Sequence, residues 1–200
     1  MTEASVSLDT LIESPEDSLR EQRIVTYRLL ATLLRDVPTP ELLDYLAAGE
    51  TGEGNEWQLL ALAARSSSLQ QIDDEFHELF IGLGRGELVP YGSWYLTGYL
   101  MEQPLALLRQ DLARLGFQRD AGHSEPEDHI AALLEVMSLL LESGEPPSVQ
   151  ADFFHRHLAP WAPRFFVDLQ QARHAVFYRS VGRLGARFID LESQALPALN

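Results

Sequence analysis

The sequence predicts an all-α protein, a single helical domain of about eight to ten helices. Three observations carry that prediction. Apolar residues recur at helical spacing along nearly the whole chain. No segment alternates apolar and polar residues as a half-buried strand would, and no internal repeat is present.

In order along the chain, residues 1–17 are acidic and lack an apolar pattern, so they are expected to form a mobile tail. Leu19, Ile24, Tyr27, Leu30 and Leu34 mark a first amphipathic helix that ends before Pro38. Thr39 and Pro40 read as the cap and first turn of a short helix reaching Ala48. A glycine-bearing loop over 49–55 precedes helices expected over 56–65 and 68–80. The stretch 81–92 holds Gly82, Gly84, Gly86, Pro90 and Gly92 and is expected to be irregular. Helix is expected again over 93–115, with Pro104 either kinking it or starting a new segment and Gly116 ending it. After a second irregular stretch over 117–125, Pro126 is expected to open an apolar helix to Leu141. Further helices are expected over 149–158, from 161 to the region of Ala172, and on to about Leu191. The domain is thus placed at 18–193, with a short tail over 194–200.

Composition removes several function classes. There is no cysteine, so disulfides, thiolate nucleophiles and cysteine-ligated metal are excluded. The formal net charge is −15 and all 15 basic residues are arginine, which argues against a nucleic-acid partner. No apolar run is long enough to span a membrane, and the acidic start does not resemble a secretory signal, so a cytoplasmic location is expected. Neither a phosphate-binding lysine loop nor a Gly-x-Ser-x-Gly elbow occurs, so no catalytic residue and no cofactor is expected. Between Asp120 and His155 there are acids but no arginine. That run is either a solvated face or a field for a cationic ligand.

Two clusters remain. The first is Gly122-His123-Ser124-Glu125-Pro126-Glu127-Asp128-His129. Its acids either oppose the positive end of the following helix or offer a carboxylate to an arginine of a peptide, with His129 orienting it. In the second case either Glu127 or Asp128 faces the ligand. A metal site built from His123, Glu125, Asp128 and His129 is the competing reading, as in a helical metal-dependent hydrolase. The second cluster is Tyr91, Ser93, Trp94, Tyr95 and Tyr99, which either anchors the core or lines a peptide groove.

The segments Glu75-Phe76-His77-Glu78-Leu79-Phe80-Ile81-Gly82, Pro90-Tyr91-Gly92-Ser93-Trp94-Tyr95-Leu96 and Glu125-Pro126-Glu127-Asp128-His129-Ile130 occur here in that order. With His157-Leu158-Ala159-Pro160-Trp161 and Phe177-Tyr178, they resemble the pattern of the TorD/DmsD/NarJ redox-enzyme maturation chaperones. The resemblance covers about Leu19 to Ile189 and implies an all-α chaperone, not an enzyme. It implies a partner as well: the precursor of a molybdoenzyme catalytic subunit, bound through its N-terminal leader, often a twin-arginine signal, until its cofactor is inserted. A nitrate-reductase-type client without a true export signal is the alternative. Carried onto this sequence, the peptide-binding residues would be Tyr91, Ser93, Trp94, Tyr95, Glu125, Asp128 and His129. The family has also been linked to guanine nucleotides, of which these residues give no independent sign. The glycine-rich connection also permits a homodimer by domain swapping.

Overall fold

A computed structural model describes residues 15–49, 55–82, 85–118, 125–196 and 198. Among them the chain forms ten α-helices: α1 Pro15–Arg35, α2 Pro40–Ala47, α3 Asn55–Ser66, α4 Leu69–Phe76, α5 Gly92–Thr97, α6 Gln103–Arg114, α7 Ile130–Glu142, α8 Pro147–His157, α9 Ala162–Gln171 and α10 Phe177–Ala195. A π-helical turn, His77–Ile81, continues α4. The all-α expectation holds.

Four boundaries differ from expectation. The first helix begins at Pro15, within the segment taken as tail, and α10 runs past 193 to Ala195. The helix expected over 93–115 is two helices. Gly98, at φ 84°, ends α5 in the left-handed region, and Pro104 lies in the first turn of α6. The largest difference is at Pro126, which does not open α7. His129 is extended, with φ −62° and ψ 137°, and caps a helix that starts at Ile130. The cause lies elsewhere in the sequence. Tyr91 and His129 form an antiparallel bridge, in which the Gly92 N–H donates to Asp128 O at 2.9 Å and the Ile130 N–H to Pro90 O at 2.8 Å. Helical backbone at 126–129 would break both bonds.

The core is built from helix pairs. α1 lies along α7, and α9 along α10. Tyr27, Leu30 and Leu34 on α1 and Leu134, Met137 and Leu141 on α7 are all buried. α9 and α10 approach closely at Gly185, where a Cβ would stand 2.1 Å from the Phe166 ring. Only glycine fits there without displacing the ring.

Long-range polar contacts finish what local sequence leaves open. Glu75 accepts the backbone N–H groups of Val176, Phe177 and Tyr178 at 2.8, 3.0 and 2.7 Å, capping α10 from α4. Phe76 and Phe80 pack on the Tyr178 ring beside that cap. The Arg20 guanidinium donates to the C-terminal carbonyls of α7, Leu141 O and Glu142 O, each at 3.0 Å. Glu192, buried on α10, accepts Arg23 through both oxygens at 2.7 and 2.8 Å and the Tyr27 hydroxyl at 2.6 Å.

Part of the acidic run is matched inside the fold. Glu135 pairs with Arg35 at 2.6 Å, Glu142 with Arg28, and Glu127 with Arg109 at 2.8 Å. Asp152 stands 3.6 Å from Arg156. Much of the run therefore offers no open cationic-ligand field.

Candidate functional site

The bridge between Tyr91 and His129 brings the two sequence clusters together. It places the start of α5 against the segment that leads into α7, and each predicted site residue takes its position from that junction. His123, proposed above as a metal ligand, lies outside the described residues.

Asp128 is 3% exposed. Its Oδ2 accepts the Ser93 N–H at 2.7 Å, while its Oδ1 has no hydrogen-bond partner among the described residues. The carboxylate forms part of the wall of a cavity of about 240 Å³ whose other walls include Leu96, Leu107, Leu108 and Trp161. A buried carboxylate oxygen without a donor is costly, which makes this the least satisfied polar atom of the junction.

His129 is also buried. Its Nδ1 accepts the Ala131 N–H at 3.2 Å, so the neutral ring carries its proton on Nε2, 4.0 Å from Glu125 Oε1. Its ring meets the Tyr91 ring edge-on at 5.0 Å. The Tyr91 hydroxyl donates to Glu125 Oε1 at 2.9 Å, and burial together with that carboxylate raises the phenol above its ordinary range. Tyr91 and Glu125 therefore form the outer, partly exposed layer, with His129 and Asp128 behind them. Glu127 points away to Arg109, so of the two adjacent acids it is Asp128 that faces the cavity.

Ser93 is fully buried, and its hydroxyl accepts the Met101 N–H at 3.2 Å. Its role in the junction is to connect α5 to Asp128. Trp94 is half-buried beneath the Arg85 guanidinium, 4.4 Å from the ring centre. Tyr95 packs on Trp161 and Phe165 at 5.4 and 5.9 Å. The aromatic cluster is thus divided between core anchoring, at Tyr95, and an accessible edge, at Tyr91 and Trp94.

The metal reading is not supported by this arrangement. Asp128 Oδ2 and His129 Nδ1 are both taken by backbone N–H groups, and Glu125 and His129 do not lie on one helix, since α7 starts at Ile130. Among the described residues no group of three or more His, Asp or Glu could hold an ion.

Arg156 and His157 stand on the far side of the cavity, and behind them is Asp111, which the sequence reading did not single out. His157 Nε2 lies 2.8 Å from Asp111 Oδ2, both side chains buried, and Arg156 Nη1 reaches Asp111 at 3.1 Å. The available signal was Asp111 itself, an acid three residues from Leu108 on the apolar stripe of α6.

Both histidines give the fold an acid-sensitive stability. Burial, more than any neighbouring charge, lowers His129 below the ordinary imidazole range, and burial with Arg156 lowers His157 to about 4. A depressed histidine is neutral in the folded chain and charges more easily when unfolded. Its contribution is complete above the unfolded value of about 6.5 and is lost as the pH falls toward 4. For His157, lowered to about 4, urea unfolding is expected to show stability falling by roughly 2–3 kcal/mol over that window, a loss largely absent in His157→Gln. A flat profile between those limits would contradict the buried neutral histidines.

Fold and site together define an all-helical protein assembled around a bridged, buried-carboxylate junction. The nitrate reductase delta subunit family model matches residues 44–167, from α2 into α9. The chain is 27% identical over 187 residues to the chaperone protein TorD of Actinobacillus pleuropneumoniae serotype 3, covering 84% of this chain and 93% of the relative. It is also 27% identical over 207 residues to the chaperone protein TorD of Vibrio atlanticus, covering 90% and 96%. A solved structure from Archaeoglobus fulgidus, described as that of a redox enzyme maturation protein, superposes with a TM-score of 0.60 at 19% identity, over 90% of this chain and 98% of that one. The chain belongs to the nitrate reductase delta subunit family, that of the TorD and NarJ chaperones, and is not an enzyme.

Proposed function

We propose that this protein is a cytoplasmic chaperone that binds the N-terminal leader of a molybdoenzyme catalytic subunit and holds the precursor for cofactor insertion. Family membership supports the class of client. The observation that carries the leader reading is Asp128, a buried carboxylate with one oxygen unsatisfied, on a residue that lines a largely apolar cavity. A leader offers an arginine followed by an apolar run, and a carboxylate in apolar surroundings is the group that pairs with such an arginine. In this reading Glu125 and Tyr91 guide the cation at the surface, and Trp94 covers part of the apolar segment. Ser93, Tyr95 and His129 act indirectly by holding the junction in shape. Consistent with a freely diffusing protein, no helix among the described residues is long and apolar enough to cross a membrane.

Asp128→Asn tests this with little risk to the fold, because an amide oxygen still accepts the Ser93 N–H. Binding of the client precursor, read by titration calorimetry, is expected to weaken by about tenfold or more, or about 1.4 kcal/mol. The circular dichroism spectrum and melting temperature should stay close to wild type. Unchanged affinity in a folded variant would sink the role given to Asp128.

A further inference from the structure

In the folded chain Asp128 Oδ1 has neither a hydrogen-bond partner nor contact with solvent, so a ligand reaches it only if a wall of its cavity moves. Most of the walls are fixed. The Gly92 N–H is bonded to Asp128 O at 2.9 Å, and Leu133 belongs to α7, which lies along α1. Trp161 Nε1–H donates to His157 O at 2.7 Å, and α8 lies against α7. The wall that differs is α6, which contributes Pro104, Leu107 and Leu108.

α6 is lightly seated along its length. Beyond the cavity at Asp128, its residues Asp111 and Arg114 border a second, separate cavity of about 340 Å³. On α8 the order reverses, with His157 at the first cavity and Val149 and Phe153 at the second. The two helices therefore run antiparallel, with a cavity on either side of one contact. That contact is polar: Asp111, 6% exposed, meets His157 Nε2 at 2.8 Å and Arg156 Nη1 at 3.1 Å. A second polar clasp, Arg109 to Glu127 at 2.8 Å, fastens α6 beside Asp128. Leu105 and Leu108 are its buried apolar seat. Among the described residues, no backbone–backbone hydrogen bond joins residues 99–117 to another part of the chain. Both ends of the helix meet left-handed backbone: Gly98 at φ 84° and Met101 at φ 60° before it, Gly116 at φ 82° after it. Met101 is the one non-glycine residue with positive φ among those described, a strained conformation for a side chain. A Cβ at Gly98 or Gly116 would meet nothing within 4 Å, so the backbone has room to turn at both.

We infer that α6 is a hinged flap, turning at Gly98 and Met101 on one side and at Gly116 on the other, and held shut over Asp128 by the Asp111 and Arg109 clasps. Polar clasps suit a reversible closure, because the separated groups recover hydrogen bonds to water on opening. Leu105 and Leu108 draw the helix back, since opening exposes them. The purpose rests on the leader reading above: opening is the step that admits a cation to Asp128, and the apparent affinity scales with the fraction of chains that are open. The motion itself needs no ligand, so it is tested apart from that reading.

The test labels carboxylates of the full chain with a water-soluble carbodiimide and glycinamide, and maps the labelled positions by mass spectrometry. The chain has no lysine to compete with the added amine. Asp128 should be labelled about tenfold faster in Asp111→Asn, which weakens a buried charge-assisted clasp. In Arg109→Gln, a substitution at an exposed position with little risk to the fold, the rate should rise about threefold. Glu192, equally buried but on α10, should keep its wild-type rate in both variants. Hydrogen exchange in Arg109→Gln should accelerate together across residues 103–114, as one unit. Asp128 and Glu192 rising in parallel would mean that access comes from unfolding of the whole chain, and would overturn the flap. So would an unchanged Asp128 rate in both folded variants, or faster exchange confined to the turn that bears the substitution. The leader reading fails by a different result: unchanged client affinity in Asp128→Asn, which would leave the flap standing without that purpose.

Discussion

Glu192→Ala is expected to lower stability by about 3–5 kcal/mol. Glu192 is 2% exposed and receives three donors, two from Arg23 and one from the Tyr27 hydroxyl. Removing the carboxylate leaves a largely buried guanidinium and a fully buried phenol without their acceptor, and Gln150 Oε1, 3.4 Å from Arg23, is too weak a substitute. Burial lifts the Tyr27 hydroxyl well above its usual range, so it stays a donor and cannot escape by ionising. Urea denaturation should show a lower midpoint at unchanged slope. The double replacement Arg23→Met with Glu192→Leu should recover only part of the loss, because it removes both charges together but leaves the buried Tyr27 hydroxyl without its acceptor. A loss below about 1 kcal/mol for the single variant would mean that the pair is solvated in solution.

Glu75→Ala should cost about 3 kcal/mol and act at a distance. The residue lies on α4, but its carboxylate holds the first amides of α10. Burial pushes its carboxyl above the usual range, and the three N–H groups pull it back part of the way. Loss of the carboxylate strands buried donors at Phe177 and Tyr178 and loosens the seat of Phe76 and Phe80 on Tyr178. Hydrogen exchange should therefore accelerate first at the start of α10. Glu75→Gln, keeping one acceptor oxygen, should fall between alanine and wild type. Acceleration confined to α4 would contradict the cap.

Features set by neighbours in sequence were legible, and those set by distant partners were not. Thr39 before Pro40 marks a helix start because the hydroxyl reaches an amide three residues on, and it does so at Leu42. Gly116 adopts φ 82° and ends its helix as read. Pro126-Glu127-Asp128, by contrast, has every local sign of a first helical turn. It fails to be one because Pro90 and Gly92 claim its backbone. For the same reason the site was only half readable. The structure joins the two motif segments at the Tyr91–His129 bridge and makes Asp128 a wall residue of a cavity, an arrangement that no local spacing states. Asp111 and His157, 46 residues apart, meet only through the antiparallel run of α6 and α8. Glu75 shows the same limit, since the segment Glu75–Phe80 and the pair Phe177-Tyr178 belong to one packed unit.

The central claim is that this chain holds a molybdoenzyme precursor by its leader. The most direct test is affinity capture of the tagged protein from cells of its source expressing such an enzyme, with mass spectrometry of what co-purifies. A single catalytic-subunit precursor, lost when its N-terminal leader is deleted and reduced by Asp128→Asn, is the expected result. Capture of no such subunit under those conditions, or of one retained without its leader, would contradict the account.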